Sequence, residues 1–239
     1  MSFDIFNGIE QSTANSCGAY ALAAALENFG LAEQTHQANL LNTTNLGTGY
    51  SQAGPAVSNT GGAGAFAAAI YQVTGNLLLS NTATYEYLVP VSDMNPPSAL
   101  VYVATLFGYN PNHIAVRYTN AGMATFEALQ VTNNGTGGGL LNTEIDLLTI
   151  INQNQGMIIV GPVNYNGIPD PTHVQIVLVQ NGQHWLAINN AQLYDPGTGY
   201  VGAYQLIDNE GQLSFDYEMG DVTHENSFSG IWIELRANG

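Results

Sequence analysis

The stretch EQSTANSCGAYALAAAL, which runs from Glu10 to Leu26, contains Cys17, the only cysteine in the chain. Strong helix formers follow this cysteine, so we predict a helix over residues 17–29. Cys17 then stands at the helix N-terminus, where the helix dipole and free backbone N–H groups stabilise a thiolate. The stretch therefore places a candidate nucleophile at the start of a helix, with Gln11 six residues upstream.

Boundary residues support this helix and predict three more. Asn15 or Ser16 is expected to cap the first helix, and Gly30 is expected to end it. The stretch 62–74 predicts a second helix, and a third begins at PPSALVYVATLFG, with a proline in its first turn. The stretch 141–156 predicts a fourth helix, which has acids in its first turn and glycine as its stop.

Short β-branched and aromatic runs, separated by Gly, Asn and Pro, follow the last predicted helix. They predict strands within residues 157–163, 173–180, 184–189, 192–195, 200–207 and 229–235.

Helices followed by strands indicate an α+β fold rather than alternating βαβ units. We expect a single domain over residues 1–239, with a helical subdomain over about 1–156 and a β subdomain over about 157–239. The Gly- and Asn-rich stretches near 43–64 and 132–139 are interpreted as surface loops.

The charge composition excludes several classes of function. Only 8% of the residues are charged. The chain has 18 acidic residues but only two basic ones, Arg117 and Arg236, and no lysine, so the formal net charge is −16. Such a surface repels phosphate backbones and anionic membranes, so we expect no nucleic-acid partner. Without lysine there is no Walker-A loop, no lysine Schiff base and no kinase β3 lysine.

A single cysteine excludes an internal disulfide and a CxxC metal or redox site, and no HExxH spacing is present, so no cofactor or metal is expected. The start MSFDIFNGIE resembles no secretory signal, and no apolar run reaches the roughly 18 residues of a membrane span. We expect a soluble protein without membrane insertion, either cytoplasmic or exported without a classical signal.

The missing lysine allows three interpretations. In a bacterial toxin or effector delivered to a host cell, the absence of lysine would prevent ubiquitination. In an enzyme that cleaves at or modifies lysine, it would prevent the enzyme from acting on its own chain. The third interpretation is compositional drift.

A catalytic Cys17 needs a base and an oxyanion site. The side-chain amide of Gln11 and the backbone N–H of Cys17 together form a candidate two-donor oxyanion hole. Asn15 is a competing donor, although the position suits a helix cap better.

His184 has the best context for the base. The sequence NGQHWLAINNAQLYDPGTGY predicts a strand from His184, a reversal at Asn-Asn-Ala and a strand that ends at Asp195. In such a hairpin His184 and Asp195 are neighbours, so the carboxylate orients the imidazole and favours the imidazolium.

Other residues remain as alternatives or as structural residues. His173 also begins a predicted strand, but no acid stands at hairpin spacing from it. Asn189 is an alternative partner for the imidazole, although its position suits the turn. Residues without a predicted catalytic role are His36, His113 and His224, together with Glu144 and Asp146, which are interpreted as helix-start charges.

These motifs resemble the papain-like cysteine peptidase superfamily, and the bacterial C39-like branch in particular. The similarity rests on Gln11, on Cys17-Gly18 before a helix, on His184-Trp185 at a strand start and on Asp195-Pro196. The stretches NPPSALVYVATLFGY and LLTIINQNQGMIIVGPV resemble that branch more weakly. The resemblance implies a papain-like fold with a Cys–His–Asp triad, in which the nucleophile helix packs on a C-terminal antiparallel sheet.

The function that we expect is therefore a thiol protease, which cleaves protein or peptide substrates through a thioester. One alternative keeps the thioester in a glutamine deamidase, a transglutaminase-like enzyme or an isopeptidase. A second alternative is a non-catalytic papain-like binding module. The choice of substrate depends on loops around the active site, so the motifs leave these alternatives open.

Overall fold

A computed structural model gives the architecture of the protein. It describes residues 2–41, 49–75, 78–80, 85–87, 95–108, 113–123, 148 and 158–237; at 41, 78–80, 85–87 and 158–160 the backbone alone is described.

Three α-helices and one short 3₁₀ helix (Asp4–Phe6) lie in the first half of the described chain. The α-helices are α1 (Cys17–Asn28), α2 (Ala63–Thr74) and α3 (Pro97–Leu106). They confirm the predicted helices at 17–29, at 62–74 and from PPSALVYVATLFG. The fourth predicted helix, over 141–156, lies outside the described residues except for buried Leu148.

Helix α1 begins and ends close to its predicted boundaries. Ser16 occupies the N-cap position, but its hydroxyl bonds to the backbone of Thr13 and leaves the helix amides uncapped. Gly30 follows the helix with a φ of 68°, a left-handed conformation that favours glycine. Every residue from Cys17 to Leu26 is buried, as expected for a central helix that is apolar on all sides.

Two small antiparallel ribbons also lie in the first half: β1 (His36–Leu41) with β2 (Tyr50–Val57), and β3 (Leu78–Ser80) with β4 (Tyr85–Tyr87). The interpretation of 43–64 as a surface loop is therefore wrong over Tyr50–Val57. Gly54 and Pro55 suggested a loop, yet they lie in a strand whose pairing with β1 is irregular, with two register shifts. The predicted loop at 132–139 lies outside the described residues.

Within the described residues, the main sheet has nine strands. They are β5 (Ile114–Tyr118), β6 (Ile158–Val160), β7 (His173–Val179), β8 (His184–Ile188), β9 (Leu193–Asp195), β10 (Tyr200–Gly202), β11 (Gln205–Asn209), β12 (Gln212–Met219) and β13 (Val222–Arg236).

The order along the sheet is β10-β9-β8-β7-β13-β12-β11, while β5 pairs with β13 and with β6. All of these pairs are antiparallel except β5–β6. The long strand β13 pairs with β12 through its first half and with β7 and β5 through its second half, so the sheet curls around it.

Alternate residues of the sheet face two different cores. On one side, residues such as Ile176, Trp185 and Tyr194 join a core that contains α1, α2 and α3. On the other side, residues such as Val177 and Leu186 join a smaller core within the curled sheet. The predicted α+β class is confirmed, and α1 lies directly on β7, β8 and β9. In the described part of the chain, no helix is both long and apolar enough to cross a membrane.

Candidate active site

Cys17 is the first residue of α1 and is 1% exposed. Because Ser16 makes no side-chain cap bond, the first-turn amides of α1 are not blocked by their own cap. The predicted position of Cys17 at the start of this helix is therefore confirmed, whereas the expected side-chain cap from Asn15 or Ser16 is not formed.

His184 is the first residue of β8, and it pairs with Val179 across the β7–β8 hairpin. Its side chain is almost buried, and its Nε2 atom lies 2.7 Å from Oδ1 of Asp195. Cys17 lies near enough to this imidazole to raise its pKa. With Nε2 bound to Asp195, Nδ1 is the ring nitrogen left for an interaction with Cys17.

Asp195 ends β9, and the hairpin brings it to His184 as predicted. The register pairs Ala187 with Tyr194 and Ile188 with Leu193, so Asp195 continues opposite Leu186. His184 and Asp195 are therefore diagonal neighbours on one face of the sheet rather than a directly opposed pair.

Two further donors hold the buried Asp195 carboxylate. The backbone N–H of Gly197 donates to Oδ1 at 2.7 Å, and the hydroxyl of Tyr217 donates to Oδ2 at 2.7 Å. A Cβ at Gly197 would lie 3.1 Å from Asp195 Oδ1 and 3.4 Å from His184 Cε1, so the chain passes close to the pair. Sequence reasoning missed Tyr217, because nothing in β12 indicates which residue reaches the end of β9.

The protonation of the pair follows from its surroundings. Burial lowers the pKa of His184, but its hydrogen bond to Asp195 and the interaction with Cys17 outweigh burial and raise the pKa to about 10. Burial likewise raises the pKa of Asp195, yet His184, Tyr217 and Gly197 bring it below its usual value. At neutral pH the site therefore holds an imidazolium at His184 and a carboxylate at Asp195.

The structure brings Gln11 to the same hairpin. Its backbone N–H donates to the carbonyl of Pro196 at 2.8 Å, and Gly8 donates to Gly199 at 2.8 Å. The Gln11 side-chain NH₂ donates one hydrogen bond to the carbonyl of Ala14 at 3.1 Å. An amide has two such hydrogens, so this bond orients the group and leaves a second N–H for a ligand.

Asn95, which sequence reasoning also missed, joins the two halves of the site. Asn95 is 1% exposed. Its side-chain Nδ2 donates to the backbone carbonyl of Asn15 at 2.8 Å, and its backbone carbonyl accepts the indole N–H of Trp185 at 3.1 Å. Its Oδ1 accepts the hydroxyl of Thr74 at the end of α2. Asn95 therefore hydrogen-bonds both to the residues before α1 and to β8, the strand that carries His184.

Gly18 lies in the tightest part of this junction. A Cβ at Gly18 would lie 2.6 Å from Cβ of Asn95 and 3.0 Å from Cδ1 of Trp185. We expect Gly18→Ala to lower the free energy of unfolding by about 1–3 kcal/mol, because overpacking here displaces a buried side chain. Urea denaturation of the purified variant measures this change.

Gly64→Ala is the matched control, because Gly64 is likewise the second residue of a twelve-residue helix. Its nearest atom to a new Cβ lies at 3.6 Å, an ordinary contact. The higher helix propensity of alanine should leave stability unchanged or raise it by up to about 1 kcal/mol. Equal stability of the two variants would contradict the close contact at Gly18.

The rival candidates lie elsewhere. His173 stands at the opposite end of β7 from His184 and pairs with Arg236. Asn189 stands at the other end of β8, where its side chain accepts the N–H groups of Ala191 and Gln192 at 2.9 and 2.7 Å, so its predicted role in the turn is confirmed. The structure does not bring either residue to Cys17.

Asn15 and the other histidines have surroundings of their own. Asn15 precedes the N-cap, and its carbonyl binds Asn95. The rings of His36 and His224 pack against Phe107 and Tyr217, and His113 carries a buried Nδ1 that has no partner among the described residues. Glu144 and Asp146 lie outside the described residues.

Across the part of the chain that the structure describes, no three His, Cys, Asp or Glu side chains are grouped to hold a metal ion. Comparisons with protein-family models, with curated proteins and with solved structures find no match to the chain. The arrangement of Cys17, His184 and Asp195 is therefore the observation from which a function can be inferred.

Proposed function

We propose that the protein is a papain-like cysteine peptidase that cleaves peptide bonds through a thioester on Cys17. The observation that carries this proposal is the position of His184 on a strand that packs against α1: its Nε2 lies 2.7 Å from Oδ1 of Asp195, and the nearby Cys17 raises its pKa. A thiol, an imidazole and a carboxylate in this order are the groups that nucleophilic cysteine catalysis requires.

The fold supports the same proposal. Helix α1, which begins at the nucleophile, packs on the strands that carry the base and its carboxylate. The nucleophile and the base thus come from two rigid elements that meet at one end, which keeps their relative position fixed.

In the first step, the Cys17 thiolate attacks the carbonyl carbon of the peptide, and the electron pair of the C=O bond moves to oxygen. The resulting oxyanion accepts hydrogen bonds from the Cys17 backbone N–H and from the remaining side-chain N–H of Gln11. Such donors favour the tetrahedral intermediate over the ground state, since the charge develops only there.

In the second step, the His184 imidazolium gives its proton to the departing amine, the C–N bond breaks, and a thioester remains on Cys17. Water then attacks the thioester while neutral His184 takes its proton. The product acid leaves and the thiolate–imidazolium pair returns. Asp195 stays ionised throughout, because its hydrogen bonds hold its pKa below the usual value.

The net charge of −16 favours neutral or basic peptides over acidic ones, since long-range attraction concentrates cationic substrates near the protein. The polypeptide partner of this site is therefore inferred to be a protein or peptide without a strong negative charge.

Incubation with a peptide library tests the proposal, with mass spectrometry of the products and with Cys17→Ala as the inactive variant. We expect new fragments from the wild type and none from Cys17→Ala, because the alanine variant has no nucleophile. Intact peptides that show only glutamine-to-glutamate conversion would contradict a peptidase and favour a deamidase. An unchanged library would contradict both.

A further inference from the structure

We propose that Tyr217 is a positioning residue for this site: its hydroxyl fixes the Asp195 carboxylate so that Oδ1 faces His184. This inference rests on the proposed function for its catalytic meaning. Its geometric basis is a 2.7 Å hydrogen bond from Tyr217 to Asp195 Oδ2, which joins β12 to the end of β9.

The two oxygens of Asp195 have different partners. Oδ1 accepts from His184 Nε2 and from the Gly197 N–H, both at 2.7 Å, whereas Oδ2 accepts from Tyr217. Asp195 is only 4% exposed. Without the Tyr217 hydroxyl, Oδ2 would lose this donor in a site with little access to water, which is costly for a charged oxygen.

The direction of the hydrogen bonds is fixed by chemistry. An ionised carboxylate accepts only, so Tyr217 donates its one hydrogen to Asp195. The hydroxyl of Thr198, 2.9 Å from the Tyr217 oxygen, must then be the donor in that contact. Burial, together with the nearby Asp195, raises the pKa of Tyr217, so the phenol keeps its hydrogen at neutral pH.

Stacking holds the Tyr217 ring in place. The Tyr200 ring lies 4.1 Å from it at an interplanar angle of 12°, and the His224 ring lies 4.8 Å from it at 3°. Two parallel neighbours restrict rotation and tilt of the phenol, and Tyr217 is only 3% exposed. The hydroxyl is therefore presented to Asp195 by a rigid support, as a residue that orients a reactive group requires.

The experiment compares Tyr217→Phe with the wild type through the pH dependence of Cys17 alkylation by iodoacetamide. Loss of the hydroxyl removes a bond that favours the ionised Asp195, so Asp195 should take up a proton at higher pH. We expect the acid limb of the alkylation profile to move up by about one pH unit, and peptide turnover to fall about tenfold at pH 6.

Tyr204→Phe is the matched control, because it removes another phenol hydroxyl, a partly buried one at the connection between β10 and β11. That hydroxyl donates to the carbonyl of Asn189 at 2.9 Å, at the far end of the hairpin from His184. A merely structural effect would lower urea stability in both variants but would leave both acid limbs in place. Thr198→Val is a second variant, which should shift the limb in the same direction by a smaller amount.

The outcomes separate the two claims. A shifted acid limb in Tyr217→Phe supports the inference even when no peptide is cleaved, because alkylation reports on the site without a substrate. If the wild-type thiol is activated and the acid limb of Tyr217→Phe does not shift, the role of Tyr217 is overturned. The proposed function is then unaffected. An ordinary thiol in the wild type itself overturns the proposed function and this inference with it.

Discussion

His184→Ala is expected to lower peptide turnover by about 1,000-fold or more, because the same side chain activates the thiol and protonates the leaving amine. His184 hydrogen-bonds to Asp195 and lies near enough to Cys17 for the two to interact, and an alanine supplies neither a proton nor a positive charge. Initial rates on a peptide that the wild type cleaves measure the loss.

His173→Ala is the matched control for that variant. His173 also begins a strand, but it lies at the end of β7 that is far from His184. Turnover should therefore stay at the wild-type level. Near-wild-type turnover in His184→Ala, or an equal loss in His173→Ala, would contradict the assignment of the base.

Gln11→Ala should lower kcat/KM by about 100-fold while leaving the rate of Cys17 alkylation unchanged. Peptide cleavage passes through an oxyanion that needs the side-chain N–H of Gln11. Alkylation by iodoacetamide displaces iodide at a saturated carbon and forms no oxyanion. The ratio of the two rates, measured on the same preparation, is therefore the relevant quantity.

Gln11→Glu is a stricter variant of the same test. It preserves the size of the side chain but replaces a donor by an acceptor, so turnover should fall at least as far as in Gln11→Ala. Parallel losses of turnover and alkylation would contradict an oxyanion role and would assign Gln11 to the support of the loop before Cys17.

Local signals predicted much of the fold. The Ala-rich runs after Cys17 and Gly62 and the proline at the start of α3 define α1, α2 and α3 within a few residues. The His184–Asp195 contact was predictable because only eleven residues separate the pair and one hairpin closes the distance.

Long-range pairings were not predictable in this way. Asn95 binds Asn15 across eighty residues, and Tyr217 reaches Asp195 only because β10, β11 and β12 curl back past the end of β9. Neither a lone asparagine before two prolines nor a tyrosine in a strand indicates such a contact. The β1–β2 ribbon was missed for a different reason, since Gly54 and Pro55 are typical of loops.

The pH dependence of Cys17 alkylation by iodoacetamide, in the wild type and in His184→Ala, is the most direct test of the proposed thiol–imidazole–carboxylate site. The imidazolium of His184, whose pKa is raised to about 10, should keep the thiol reactive at pH 6 in the wild type. In His184→Ala, fast alkylation should appear only above about pH 8.5, as for an ordinary cysteine. A wild-type thiol that stays inert at pH 6, or a profile that His184→Ala leaves unchanged, would contradict the proposed site.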